Sequence, residues 1–470
     1  MTRPSSSQTR PYHVQTALLA QGWAQGVNVS VSEDGTISAI EVAPAPAAAE
    51  QVRGIAIPGM PNAHSHAFQR AMAGSAEWRR GRGDSFWTWR QTMYALANRI
   101  EPQELEILAT QLFVEMLAAG YTAVAEFHYL HRQRDGAPHT AKNELWAAID
   151  RAAGRAGIGL TFLPTLYQTS DFGDRPLKRE QLRFRMDTDE FLRALGERIG
   201  AERREPSPAL RTGAAFHSLR AVPMPTLREV AIALKDIDAT MPVHIHVAEQ
   251  QREVRACRAS TGHRPIELLL QSGLLTPHWC LVHATHATPE ELQGIAAARA
   301  GVCVSVSTEA NLGDGAFDAV RYLNAGGRLC VGSDSQSTVN PAEELRWLEY
   351  QQRLRRKRRG VLATDGEPHV GTRLWREAAL CGAAAIGQPA GAIEVGRRAD
   401  WLVLDPAHPS MAGAGAEKAL DHLIFAGASG AIRDVMVAGR WVIRDHRHAE
   451  QSAIGEAFAD LMRRLGSDAG

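Results

Sequence analysis

The chain has 470 residues, of which 44% are apolar and 22% charged, and its 52 basic and 52 acidic side chains leave a formal net charge of zero. That length suits one large domain with a smaller companion, and the composition is that of an ordinary globular protein. Zero net charge excludes bulk electrostatic attraction to nucleic acid or to a membrane surface as the basis of function.

Residues 1–10 are polar and lack the apolar centre of a signal peptide, and no apolar run approaches the ~20 residues of a membrane span. The expected setting is therefore the cytoplasm, with no membrane partner. Residues 27–32 and 36–41 flank Glu33-Asp34-Gly35 and predict a hairpin, and the Ala/Pro stretch 43–50 predicts a loop. Short β-branched runs then recur at 55–67, 122–130, 159–166, 212–222, 243–249, 280–286, 302–307 and 329–334. Helical spacing appears between them at 104–119, 143–155, 227–238 and 289–298, with Thr288 placed to cap the last. Strands alternating with helices predict a parallel sheet, and eight of them an α/β fold of the closed (β/α)8 TIM-like barrel type. The basic run 353–359 (RLRRKRR) reads as the solvated end of a helix. Residues 396–405 and 434–444 are strand-like again, with a Gly-containing turn in the second. Neither end holds enough strands for a core of its own, so a small β-sandwich domain built from both termini is expected. The expected division is 1–57 (small β domain), 58–391 (barrel), 392–450 (small β domain) and 451–470 (helix or tail).

The cysteines Cys257, Cys280, Cys303, Cys330 and Cys381 are odd in number, widely spaced and without a CxxC pair. A disulfide framework is not expected, and a reducing compartment fits.

Chemistry enters at the ends of the strand-like runs. His64 and His66 lie two apart, so both imidazoles point to one side of a strand and can face one metal ion. His246 and Glu249 end the run 243–249, where His244 is a competing imidazole and the strand-end position favours His246. His283 follows 280–282, and Asp334 closes 329–334 within GSDS. Singly, each has a plain structural reading, as a packed histidine or a helix cap. Jointly, four strand ends deliver H-x-H, H-x-x-E, H and D to the face where a barrel places its active site.

That order resembles the amidohydrolase superfamily, in its single-metal subgroup, over nearly the whole chain. The resemblance implies His64, His66, His246 and Asp334 as ligands of one Zn2+ per subunit, with Fe2+ possible. No lysine in 122–130 or 159–166 offers a bridge between two metals. Zinc lowers the pKa of a bound water from 15.7 to about 7. Asp334 is then placed to take the water's proton, His283 to hold the resulting nucleophile by hydrogen bonding, and Glu249 to protonate the leaving nitrogen. Seven blocks are similar to formimidoylglutamate deiminases: 58–74 (PGMPNAHSHAFQRAMAG), 84–94 (DSFWTWRQTMY), 126–131 (EFHYLH), 217–222 (HSLRAV), 246–250 (HVAEQ), 308–315 (TEANLGDG) and 344–350 (ELRWLEY). The resemblance implies deimination of N-formimidoyl-L-glutamate in histidine breakdown, by a homodimer. It places Arg90 and Arg220 against the carboxylates of a small dicarboxylate substrate, and Gln69, Tyr129 and His217 in the polar pocket. Arginine suits that task through its bidentate fork.

Three other readings share parts of this pattern. A deaminase of purine, pyrimidine or triazine bases would use the same core with stacking aromatics. A two-metal amidase would need the missing lysine, and a catalytically dead barrel would lose ligands that this chain keeps.

Overall fold

The structure is a computed structural model that describes residues 9–77, 85–140, 143–427 and 429–467. The extreme N-terminus, Asp84 of the block 84–94 and the last three residues of the expected tail lie outside them.

Eight parallel strands form the barrel: β1 (Met60–Ser65), β2 (Tyr121–His128), β3 (Gly159–Leu166), β4 (Ala214–Ser218), β5 (Val243–Val247), β6 (Trp279–His283), β7 (Gly301–Val304) and β8 (Arg328–Val331). Neighbours pair in chain order, with the short strand Leu210–Thr212 beside β3. Every residue of β2 and β3 is buried, because side chains fill the inside while helices cover the outside. The seam between β8 and β1 closes just beyond the strands, where Ser65 bridges Asp334. There Ser333 and Asp334 donate their amides to His64 O at 3.1 and 3.0 Å, and His66 N–H donates to Asp334 O at 3.2 Å. Helix Pro289–Ala297 starts at Thr288, whose hydroxyl accepts from Glu291 N–H while the Glu291 carboxylate accepts from Thr288 N–H at 2.7 Å. That is the cap expected from the sequence.

The termini meet in a second, eight-stranded sheet. Its central strand Glu50–Pro58 runs parallel to Thr9–Leu19 and antiparallel to Trp401–Leu404, so N- and C-terminal segments share one ladder. Tyr12 pairs with Glu50 and Trp401 with Pro58, at opposite ends of that strand, yet their rings are 5.6 Å apart. A flat strand would separate them by about 26 Å at ~3.3 Å per residue. The sheet therefore rolls over on itself and supplies both layers of the expected sandwich. Val14, Val29, Val31 and Val403 pack inside the roll, while Ile55, Ile57, Leu402 and Leu404 face the main core.

Three runs differ from the reading above, and one of them, 212–222, is the end of the short strand Leu210–Thr212, then β4, then a turn at 219–222. The run 55–67 is two strands in two sheets, broken at Gly59, where a Cβ would sit 2.3 Å from Thr122 Cγ2. The run 302–307 ends as a strand at Val304, and Val306–Leu312 is a short helix whose Ser307 amide is held by the buried Glu344 carboxylate at 3.1 Å. The five cysteines are free, and four of them are buried. No helix among the described residues is long and apolar enough to cross a membrane. The basic run is the end of helix Pro341–Arg356, with Arg355 and Arg356 paired to Asp318.

Candidate active site

His64, His66, His246 and Asp334 converge where the barrel closes, each offering one ligand atom within 4.8 Å of the others, all buried. His64 Nε2 lies 3.0 Å from His246 Nε2 and 3.4 Å from Asp334 Oδ1, and His66 Nε2 lies 3.3 Å from the same oxygen. A four-coordinate zinc with bonds of about 2.0–2.1 Å spaces its ligand atoms about 3.3 Å apart. Hydrogen bonding supports the same conclusion. His66 Nδ1 meets Phe127 O at 2.8 Å and His246 Nδ1 meets His217 O at 2.8 Å. A carbonyl can only accept, so both Nδ1 atoms carry the proton and both Nε2 atoms present lone pairs. Burial lowers His66, and lowers His64 to about 3. The lone pair of His66 then faces a carboxylate oxygen, an arrangement that a cation between them would satisfy. The donor set of three imidazoles and one carboxylate suits zinc or iron(II). His244, the competing imidazole, lies deeper in the barrel and bonds Ala385 O at 2.8 Å.

Glu249 and His283 stand beside this cluster. His283 Nε2 lies 3.7 Å from both Glu249 Oε1 and Asp334 Oδ2, and its Nδ1 lies 3.3 Å from Glu309 Oε1. Burial raises Glu249 to about 7, with His283 opposing and Asp334 reinforcing the shift. Burial would lower His283, but Glu249, Glu309 and Asp334 outweigh it and push the ring up to about 10. Asp334 stays well below the usual carboxylate range despite its burial, because His64, His283 and His66 surround it. Ala248, His283 and Asp334 have φ of 50°, 70° and 46°, left-handed values that turn strand-end side chains toward the centre.

A cleft of about 440 Å3, counted out to its mouth, opens above these groups. Gln69, Arg90, Tyr129, His217 and Arg220 all line it, together with His66, His246, Glu249, His283 and Asp334. Gln69 Nε2 donates to Tyr129 OH at 2.9 Å, and its Oε1 is buried without a partner. Arg90 donates to Tyr167 OH at 3.4 Å and lies 5.0 Å from the Tyr94 ring centroid. Arg220 is 6% exposed, and its Nε has no partner. Neither arginine forms a salt bridge among the described residues. The motifs outside the cleft brace it. Glu126 accepts from Ser65 Oγ at 2.8 Å and Ala67 N–H at 2.7 Å, fixing the chain between and beyond His64 and His66. The sequence reading missed Phe86, Trp89, Met93, Thr308 and Leu312 in the wall. Phe86, Trp89, Arg90 and Met93 share one face of helix Phe86–Ala97, a spacing the block 84–94 already contained.

A barrel that gathers two histidines and an aspartate at its seam, with a third histidine from β5, matches a known enzyme class. The amidohydrolase family model matches residues 55–442, and the chain belongs to that family. It is 47% identical over 451 residues to formimidoylglutamate deiminase from Pseudomonas aeruginosa, covering 96% of this chain and 98% of that protein. The likeness seen in the seven sequence blocks thus runs through nearly all of the chain. The crystal structure of an amidohydrolase from Brucella melitensis matches with a TM-score of 0.90 at 39% identity, over 97% of this chain and 99% of that one. An adenosine deaminase from Xanthomonas campestris with bound zinc shares the fold at TM-score 0.80 and 21% identity, over 97% and 98%.

Proposed function

We propose that the chain hydrolyses N-formimidoyl-L-glutamate to N-formyl-L-glutamate and ammonia, a step of histidine breakdown. The observation that carries this reading is a pair of arginines, Arg90 and Arg220, without salt-bridge partners among the described residues, in the wall of a cleft that has the His/Asp cluster at its floor. One arginine is buried and the other half-buried, and two such cations in one cleft wall call for an anionic ligand; a glutamyl group brings two carboxylates. Aromatic bases bring none.

His64, His66, His246 and Asp334 would hold one divalent ion, zinc or iron(II). Such an ion supplies an acidified water at neutral pH and polarises the carbon under attack. Arg90 and Arg220 fix the two carboxylates, so that the formimidoyl carbon comes to rest beside Asp334. Asp334 accepts one proton from the attacking water, and His283 Nε2 hydrogen-bonds the oxygen that joins the carbon. Glu249, whose carboxyl burial pushes up to about 7, donates to the departing nitrogen. The water's oxygen becomes the formyl oxygen and its two protons reach the imino nitrogen, which leaves as ammonia. The family resemblance further implies a cytoplasmic homodimer, which sedimentation of the purified protein checks.

The test is ammonia release from N-formimidoyl-L-glutamate by zinc-loaded protein, with Arg220→Met alongside. Rapid release by the wild type is expected, with the variant losing most of kcat/KM and keeping its metal. Release from a purine or pyrimidine base instead would keep the hydrolase and overturn this substrate.

A further inference from the structure

The block 308–315 places Thr308 and Leu312 in the wall of the cleft. Its Glu309 is fully buried, does not line the cleft, and meets His283. We infer that Glu309 is a positioning residue for His283, holding the Nδ1 proton and thereby aiming Nε2 between Glu249 and Asp334. The inference rests on the role proposed for His283 and adds a residue to it.

Four observations carry it. Glu309 Oε1 is 3.3 Å from His283 Nδ1 and also accepts Ser305 N–H at 3.1 Å, so two contacts fix the position of this oxygen. A carboxylate oxygen accepts only, which assigns the ring proton to Nδ1 and leaves Nε2 to face the cluster. Nε2 then stands at equal distances, 3.7 Å, from Glu249 Oε1 and Asp334 Oδ2. A ring turned about χ2 would lose both approaches at once. The backbone does not fix this orientation by itself. The φ values of His283 and Ala284, 70° and 49°, set where the side chain leaves the chain but not the rotation of the ring about χ2, which a contact with another element must fix. That contact is itself held. Glu309 N–H bonds Ser305 O at 2.9 Å, and the same helical turn is tied by Ser307 N–H and Oγ to the buried Glu344 carboxylate. The matched blocks 308–315 and 344–350 therefore act as one brace: Glu344 holds the turn, the turn holds Glu309, and Glu309 holds the ring.

A merely structural ion pair would affect folding and metal retention. A positioning residue affects turnover through His283 alone. The experiment compares wild type, Glu309→Gln, Glu309→Asp, His283→Asn and the Glu309→Gln/His283→Asn double variant, all metal-loaded. Each is assayed by ammonia release, metal content and 15N-imidazole NMR. Glu309→Gln is expected to lower kcat by about 10–100-fold, the scale known for partners that orient metal-ligating imidazoles. KM and metal content should stay unchanged, and Glu309→Asp should recover part of the loss. In the His283→Asn background the same change should cost nothing further. The Nδ1–H signal absent from His283→Asn should be present in wild type and displaced in Glu309→Gln. Losses that multiply in the double variant, or an undisplaced signal, would overturn the inference. If Glu309→Gln does not fold, the wild-type spectrum decides, since an unprotonated His283 Nδ1 refutes the hold. If wild type releases no ammonia from this substrate, the proposed function falls while the NMR result still judges Glu309.

Discussion

Glu249 and Asp334 approach the same imidazole nitrogen at 3.7 Å, yet their surroundings drive them apart. Asp334 has three imidazoles around it and stays ionised, whereas burial raises Glu249 to about 7. Two carboxyl groups with separated affinities for the proton can divide acid from base work. Glu249→Gln keeps the shape and removes the transferable proton. Turnover should fall by about 10²–10⁴-fold, the range for a general acid, with KM and metal content little changed. Wild-type kcat in this variant, measured by steady-state ammonia release, would remove Glu249 from the reaction.

Among elements, the seam between the last and first barrel strands is decisive, because it brings His64 and His66 against Asp334. Gly332 sits in this seam. A Cβ there would lie 2.7 Å from His64 Cβ and 2.8 Å from His64 O, and the backbone oxygen cannot swing aside. Gly332→Ala is therefore expected to cost about 1–3 kcal/mol through overpacking and to lower bound metal in step. Thr288→Ala serves as the contrast, since it removes a helix cap on the outer layer. It should cost about 0.5–2 kcal/mol and leave metal content and kinetics as they were. Thermal melts with metal analysis on both variants check this. Equal metal occupancy in Gly332→Ala and wild type would show that the seam tolerates the change.

For the whole molecule, buried carboxyl groups set a pH dependence. Burial raises Glu126 and Glu344 to about 8, against their bonds to Ser65, Ala67 and Ser307, and raises Asp314 to about 9 with help from Glu249. The folded chain keeps protons that the unfolded chain gives up near 4.5 at glutamate and 3.8 at aspartate. Stability from these groups is thus fully present below those values and is lost as pH rises through 8 to 9. Buried histidines such as His131, lowered to about 4 by burial, act on the other side, below pH 6.5. Metal-free protein should therefore melt at falling temperature between pH 6.5 and 9, and Glu126→Gln with Glu344→Gln should flatten that slope. A flat wild-type profile would contradict the assignment.

The alternation of β-branched runs with helical spacing was enough to read an eight-stranded barrel, and the strand-end positions of His64, His66, His246, Glu249, His283 and Asp334 were enough to expect them together at one end of it, while the hydrolase class came from the likeness to a known family. Both are local signals: period two, period 3.6, and residue type at the end of a run. The split of 55–67 at Gly59 was not legible, because it depends on Thr122, a residue more than sixty positions away, crowding that glycine. The rolled sheet depends likewise on Tyr12 meeting Trp401 across the whole chain. Glu309 lay in a recognisable block but had no role until β6 and the helix after β7 set it 3.3 Å from His283. Composition and periodicity report which face of an element is apolar. Which two elements face each other is settled by packing and strand register, and the brace behind His283 exists only at that level.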